Sequence, residues 1–116
     1  MRRLKTATLG VDQGDIEIFS DFQNNGDMWT GTGPRDRRCW VTYNEPFKDT
    51  PSIHVSVSLW DVDGATSLRA ELTSENVSPE GFEMVFKTWG DTRVARIRAS
   101  WTAIGTLQDD DDWDVL

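Results

Sequence analysis

Residues 52–59 alternate polar and apolar side chains more regularly than any other part of the chain. A period of two places successive side chains on opposite faces of an extended strand. We expect one face to be apolar and the other polar, the apolar face comprising Ile53, Val55, Val57 and Leu59, and the polar face Ser52, His54, Ser56 and Ser58. The pattern predicts a half-buried strand.

Similar alternation recurs along the chain and predicts five more strands, at residues 15–20, 38–43, 68–73, 82–87 and 93–104. Turn-forming residues separate them, as in segments 44–51, 61–64 and 79–81. No segment has a convincing apolar repeat at helical spacing. Several short strands between turn signals are typical of an antiparallel sandwich. The sequence therefore predicts an all-β, six-stranded antiparallel β-sandwich.

The rest of the chain divides around this domain. Residues 1–14 lack a sustained period and are predicted to form an N-terminal arm, residues 15–105 the domain, and residues 106–116 an acidic, disordered tail. Segment 21–36 is rich in Asn, Gly, Asp and Thr, and is predicted to be a long loop around Met28 and Trp29. Long loops in compact domains are usually functional or disordered.

The charge distribution limits the classes of partner. The formal net charge is −8, and five acidic residues lie in the last eight positions, so the body of the chain carries −3. An acidic body without a basic stripe argues against nucleic acid or an anionic membrane as partner. No apolar run is long enough for a membrane-spanning helix or a signal peptide, which predicts no membrane insertion. The expected location is cytoplasmic, or outside the cell by a non-standard route.

The residues that usually carry catalysis or bind metals are scarce. Cys39 is the only cysteine and His54 the only histidine, which excludes an intrachain disulfide, a cysteine-rich metal site and a serine triad. Segment 61–64 lacks EF-hand spacing, because the twelfth position is Leu72. No carboxylate pair stands in a glycosidase context. We therefore expect a protein without metal, cofactor or enzymatic activity.

One group of residues has the chemistry that binds sugars. Sugar C–H faces stack on aromatic rings, and sugar hydroxyls exchange hydrogen bonds with charged and polar groups. Trp89 in a turn, Arg69 on the neighbouring strand and the segment 33–36 could supply that set. Each also has an ordinary structural interpretation: Trp89 could cap the core, Arg69 could be solvated, and Arg35 could pair with Asp36.

Several motifs occur together at consistent spacing between residues 40 and 105: segment 77–82, the pairs Thr88-Trp89 and Asp91-Thr92, and the pair Ser100-Trp101 followed by Ile104. With them the chain resembles the H-type lectin domain, known from snail agglutinins and the C-terminal part of discoidins. The resemblance implies a six-stranded sandwich that forms trimers or hexamers and binds galactose or N-acetylgalactosamine at subunit boundaries. It further implies that Arg69 and Trp89 contact the sugar. Asp91, in the same turn as Trp89, is a further candidate in addition to those that the resemblance implies.

In the same family, a Gly-Arg-Asp loop of a neighbouring subunit completes the site, and Arg35 with Asp36 resembles that loop. This chain differs in having Gly90 where snail agglutinins have a histidine, and Pro34 where they have the loop glycine. An outward row of Val94, Arg96 and Arg98, with Glu71, Glu75 or Glu83 as carboxylate partners, is expected to pack around a three-fold axis. The alternative function is a structural module that uses this fold only for oligomerisation.

Overall fold

A computed structural model describes Met1, Arg3 and residues 8–108. It contains six strands and one short helix: β1 Leu9–Ser20, α1 Asp27–Thr30, β2 Arg35–Thr42, β3 Ser52–Val62, β4 Ala70–Glu75, β5 Gly81–Thr88 and β6 Val94–Thr106. The predicted all-β class and six-stranded antiparallel sandwich are confirmed. Of the predicted tail, residues 106–116, Thr106 belongs to β6 and not to a tail. Segment 109–116 lies outside the described residues, so its predicted disorder stays a prediction.

The strands form two three-stranded antiparallel sheets, sheet A in the order β1-β6-β3 and sheet B in the order β2-β5-β4. The central strands β6 and β5 supply the most deeply buried side chains, because each has neighbours on both sides and the other sheet above it. Two clusters fill the space between the sheets. Their fully buried members include Phe82, Met84, Phe86, Ile97 and Ala99.

The first strand is longer than the sequence predicts. It begins at Leu9 rather than Asp15, so residues 9–14 belong to the sheet and not to an arm. Gly10 and Gly14 hide the pattern, because they occupy inward positions where an apolar side chain would mark a strand. A Cβ on Gly14 would lie 2.7 Å from Nε1 of Trp101, so the indole fills that space.

Both outer strands of sheet A carry a bulge at the same level. The pairing register shifts between Glu17 and Phe19 in β1 and between Val57 and Leu59 in β3, where Glu17 and Leu59 both pair with Arg98. An extra residue reverses the order of faces along a strand. The prediction that Leu59 shares the face of Val57 is therefore wrong.

The predicted outward row on β6 is only partly correct. Val94 is fully buried in the core, whereas Arg96 and Arg98 are exposed. Their carboxylate partners are Asp61 and Asp15, with nitrogen–oxygen distances of 3.0 and 3.5 Å, and not the glutamates expected from the sequence. Both partners lie on strands adjacent to β6 in sheet A, whereas those glutamates lie on sheet B.

Segment 21–36 is ordered by a buried acid. Asp21 accepts hydrogen bonds from the Met28 backbone N–H at 3.0 Å and from both terminal nitrogens of Arg37 at 2.7 and 2.8 Å. These bonds hold α1 within a segment predicted to be entirely loop. The same segment ends earlier than expected, because β2 begins at Arg35.

Tyr43 has a phenol group in an unusually apolar environment. Its ring centroid lies 4.9 Å from that of Phe47 and 6.2 Å from those of Phe82 and Trp101. Its buried hydroxyl has no hydrogen-bond partner among the described residues. Burial, together with the negative charge of Glu80, raises the pKa of Tyr43 to about 12.

The first prediction concerns this phenol. The pKa of Tyr43 in the folded protein exceeds its value of about 10 in the unfolded chain, so the unfolded chain loses its proton first as the pH rises. The free energy of unfolding is therefore unaffected by this ionisation below pH 10, and it falls as the pH rises from 10 towards 12. The chain has one tyrosine, so phenolate absorbance reports Tyr43 alone. Tyr43→Phe should raise the free energy of unfolding by about 1 kcal/mol, since it removes an unsatisfied buried hydroxyl. A phenolate midpoint near pH 10 in the folded protein would contradict this environment.

Candidate functional site

The turn between β5 and β6 is held by two buried threonines. The Thr92 hydroxyl accepts the Arg69 backbone N–H at 3.0 Å and donates to the Ser67 carbonyl. The Thr88 hydroxyl donates to the Arg69 carbonyl at 2.6 Å. The threonines on either side of the turn therefore fix the backbone of Arg69, one of the predicted sugar-binding residues, beside the turn.

Gly90 gives this turn its shape. Its φ of 72° lies in the left-handed region that favours glycine. A Cβ at this position would lie 3.4 Å from Cδ of Arg69, so the arginine side chain lies against the turn. The Gly90 carbonyl accepts the Gly33 backbone N–H at 2.9 Å, which ties the turn to the segment before β2.

Trp89 directly follows β5, and 40% of its surface is exposed. It is not among the described residues that form or pack against either core cluster, which argues against the alternative interpretation that it caps the core. Trp89 lines a groove of about 400 Å³. The other lining residues are Pro34, Arg35, Asp36, Glu71, Lys87 and Thr88. We call this the Trp89 groove.

The floor of the Trp89 groove is a row of charged residues across sheet B. Asp36 on β2 and Glu71 on β4 both pair with Lys87 on β5. Paired residues on adjacent strands project from the same face of the sheet, so the row alternates acid, base and acid. Of the predicted site residues, Arg35, Asp36 and Trp89 line one groove of a single chain. Arg69 and Gly90 adjoin it, and Asp91 is exposed on the turn.

Sequence reasoning missed Glu71 and Lys87 as groove residues. The alternation of β4 and β5 assigns each to an outward face, which is a signal that the sequence does contain. Their meeting with Asp36 depends on strand register, which the sequence does not show.

The Arg35 side chain is buried and hydrogen-bonded within the fold, so it is not open to a ligand. It is 9% exposed, and all five of its N–H groups donate to backbone carbonyls. The distances are 2.9 Å to Gly33, 3.2 Å to Asp27 and to Met28, 3.4 Å to Gly90 and 2.8 Å to Thr92. Arg35 therefore joins α1, the segment before β2 and the Trp89 turn.

Arg35 does not pair with Asp36, which was its alternative interpretation. Asp36 instead accepts a hydrogen bond from Nε of Arg38 at 3.1 Å. Arg38 also donates hydrogen bonds to Glu83 at 2.9 Å and to Glu75 at 3.5 Å. The hydrogen bonds that it donates to Glu83 and Asp36 raise the pKa of Arg38. Because Glu75 and Glu83 are directly opposite each other, Arg38 offsets their repulsion.

Two charged groups near the groove remain available for a ligand. Within the described residues, neither the Arg69 guanidinium nor the Glu71 carboxylate has a hydrogen-bond or ion-pair partner. Asp36 is about half exposed despite its bond to Arg38. The surface around Trp89 therefore offers an aromatic face, a donor and two acceptors.

Across residues 8–108, no three His, Cys, Asp or Glu side chains are grouped so that they could hold a metal ion. Within the same part of the chain, no helix has the length and apolar character needed to cross a membrane.

Comparison with known proteins identifies the family. The model of the H-type lectin domain matches residues 40–104, which is more than half of the chain and includes Arg69, Trp89 and both threonines of the turn. The chain belongs to the H-type lectin domain family. The family match begins in β2 and ends in β6, and Arg35 and Asp36 lie just before it.

Relatives of this H-type lectin domain differ in length. The chain is 53% identical over 109 residues to ATP synthase subunits region ORF 7 of Fuscovulum blasticum, covering 94% of this chain and 95% of that protein. It is 28% identical over 94 residues to a discoidin-1 chain of Dictyostelium discoideum, covering 80% of this chain and 36% of that protein.

Solved structures agree on the fold. Recombinant discoidin II of Dictyostelium discoideum matches with a TM-score of 0.75 at 23% identity, covering 91% of this chain and 41% of that one. Wild-type discoidin II matches with a TM-score of 0.75 at 24% identity, covering 90% and 40%. The chain thus spans about two fifths of the length of discoidin II.

Proposed function

We propose that this H-type lectin domain binds a galactose- or N-acetylgalactosamine-type glycan in the Trp89 groove, without catalysis. The main support is the exposed Trp89 indole beside the Arg69 guanidinium and the Glu71 carboxylate, neither of which has a partner within the part of the chain that the structure describes. The turn that carries the indole is fixed by Thr88, Thr92 and Arg35. A site that is rigid before binding loses less conformational entropy when it takes up a ligand.

Each residue has a distinct role in this proposal. Trp89 covers the apolar C–H face of the sugar ring, and Arg69 donates hydrogen bonds to ring hydroxyls. Asp36 accepts from hydroxyls, Glu71 adds a second acceptor, and Asp91 is a further contributor at the edge. Arg35 positions the turn rather than touching the sugar, because its five N–H groups are already engaged.

Multivalency would follow from assembly into trimers or hexamers with sites at subunit boundaries. Single sugar sites bind weakly, and several sites on one particle raise avidity by about 10²–10⁴ where the geometry permits simultaneous binding.

The second prediction tests this site by calorimetric titration with galactose and N-acetylgalactosamine. Trp89→Ala should weaken binding by about tenfold or more, equivalent to about 1.4 kcal/mol or more, because the apolar sugar face loses its platform. Trp40→Ala is the matched control, since Trp40 is 52% exposed on β2 but does not line the groove. It should leave binding unchanged.

Three results would contradict the proposal: no heat with either sugar, equal affinity for Trp89→Ala and wild type, or equal losses in both variants. The alternative assembly function predicts a different pattern. There, sugar binding is absent, and Trp89→Ala lowers the mass of the assembly in sedimentation equilibrium.

A further inference from the structure

A second groove of about 370 Å³ lies outside the proposed sugar site. It is lined by Ser20, Phe22, Gln23, Trp29, Asp61, Ala95 and Arg96, none of which lines the Trp89 groove. Helix α1 separates the two grooves. The carbonyls of Asp27 and Met28 bind Arg35 on one side, whereas the side chain of Trp29 lines the second groove. We call it the Phe22 groove.

The Phe22 groove presents an aromatic surface. Phe22 is 56% exposed, and its ring meets the Trp29 ring edge-to-face with centroids 5.0 Å apart. One face of Trp29 is covered by the Arg93 guanidinium, whose central carbon lies 4.3 Å from the ring centroid. Trp29 therefore supports Phe22, and Phe22 is the more open of the two rings. The groove volume of about 370 Å³ falls within the range of small-ligand sites.

The backbone that carries these rings is anchored to β6 and its preceding turn. The Phe22 N–H donates to the Ala95 carbonyl at 3.3 Å, and the Asp21 N–H donates to the same carbonyl at 2.7 Å. Nε of Arg93 donates to the Trp29 carbonyl at 2.8 Å. The exposed aromatic ring is thus held on a fixed backbone, which lowers the entropy lost when a ligand binds.

Polar groups border the same surface. Nε of Arg96 lies 3.0 Å from Oδ2 of Asp61, and both side chains are about half exposed. Among the described residues, the terminal nitrogens of Arg96 and Oδ1 of Asp61 have no partner. The pair can therefore donate to one hydroxyl and accept from a neighbouring one. Its opposite charges cancel, which favours a neutral ligand over an ionic one.

We propose that the Phe22 groove is a second carbohydrate subsite, which takes a neutral pyranose with adjacent hydroxyls. Phe22 covers the C–H face of the ring, Arg96 donates, and Asp61 accepts, while the Gln23 amide and the Ser20 hydroxyl complete the border. This site differs from the Trp89 groove in every contacting residue. It is independent of the function proposed for that groove.

The third prediction is tested by NMR titration of the full chain with galactose, N-acetylgalactosamine and glucose. Addition of a neutral sugar should shift the Trp29 indole N–H and the Gln23 amide signals. Phe22→Ala should lower the apparent affinity obtained from these shifts by about tenfold or more, because the sugar loses the aromatic ring against which it packs. Val11→Ala is the control, because Val11 is exposed on β1 and lines neither groove.

This experiment tests the two proposed sites independently of each other. Trp89→Ala should abolish shifts at the Trp89 groove and leave those of Trp29 and Gln23, whereas Phe22→Ala should do the reverse. The subsite proposal is overturned if no sugar shifts the Trp29 and Gln23 signals, or if Phe22→Ala leaves those shifts unchanged. It is also overturned if Phe22→Ala alters the sedimentation coefficient while sugar has no effect there, because Phe22 would then belong to a contact between copies.

Discussion

Arg35→Met is expected to lower the free energy of unfolding by about 3–5 kcal/mol, although the change retains the apolar stem of the side chain. Five backbone carbonyls lose the guanidinium as a donor together, in two regions far apart in sequence, residues 27–33 and the turn at residues 90–92. Each hydrogen bond to a charged group contributes more than a neutral one. The losses need not add fully, since some carbonyls would reach water after the change.

Urea denaturation measures this effect, with two informative comparisons. Arg35→Lys keeps the charge but concentrates three donors at one point, so it should recover only part of the loss. Arg38→Met, on the same strand, removes only exposed ion pairs and should change the free energy of unfolding far less than Arg35→Met does. Equal stability of Arg35→Met and wild type would show that these carbonyls do not depend on the guanidinium.

The change should also weaken sugar binding in the Trp89 groove in molecules that remain folded. Arg35 binds the carbonyls of Gly90 and Thr92, so its loss frees the turn that carries Trp89. A variant with lower stability and unchanged sugar affinity would limit Arg35 to the fold.

Asp21→Ala should lower the free energy of unfolding by about 2–4 kcal/mol, because it removes the buried acceptor of two groups. Arg37 loses its main partner, and the buried Met28 N–H loses its only acceptor among the described residues. Hydrogen bonding to Asp21 is the largest influence that raises the pKa of Arg37. The charge of Arg37 would then face the Phe19 ring, 5.4 Å from its centroid, with only exposed Asp27 as an acidic partner.

Chemical denaturation again provides the measurement, here with Asp27→Ala as the matched control. Asp27 also binds Arg37 but is exposed, so its removal should cost less than about 1 kcal/mol. The loss in the free energy of unfolding for Asp21→Asn should lie between those for Asp21→Ala and Asp27→Ala, because an amide oxygen can still accept a hydrogen bond from the Met28 N–H. Equal effects of Asp21→Ala and Asp27→Ala would show that burial does not strengthen this pair.

The strands with regular alternation could be predicted well from sequence. Residues 52–59 and 82–87 give β3 and β5 within a few residues, because one face of each is buried against the other sheet. The start of β1 could not be predicted. There, Gly10 and Gly14 face large side chains from the other end of the chain, so the space is filled without a local apolar pattern.

The candidate site shows the same division. Trp89 and Arg69 could be proposed from the sequence, because an aromatic in a turn beside an arginine has sugar-binding chemistry and because both match positions of the family that the chain resembles. The positions of Glu71 and Lys87 in the groove depend on the register of β4 and β5. Two of the five carbonyl contacts of Arg35 are with residues 55 and 57 positions away in sequence. These are properties of three-dimensional packing, which local patterns do not contain.

The paired bulges of sheet A have a consequence for how copies could associate. A straight, regular outer strand offers its unpaired N–H and C=O groups as a template for another chain. In β1 and β3 that ladder is broken at matching heights, on both sides of Arg98. The bulges therefore disfavour continuous sheet extension into fibrils. A closed assembly of these domains would use the faces of the sheets rather than the edge strands β1 and β3.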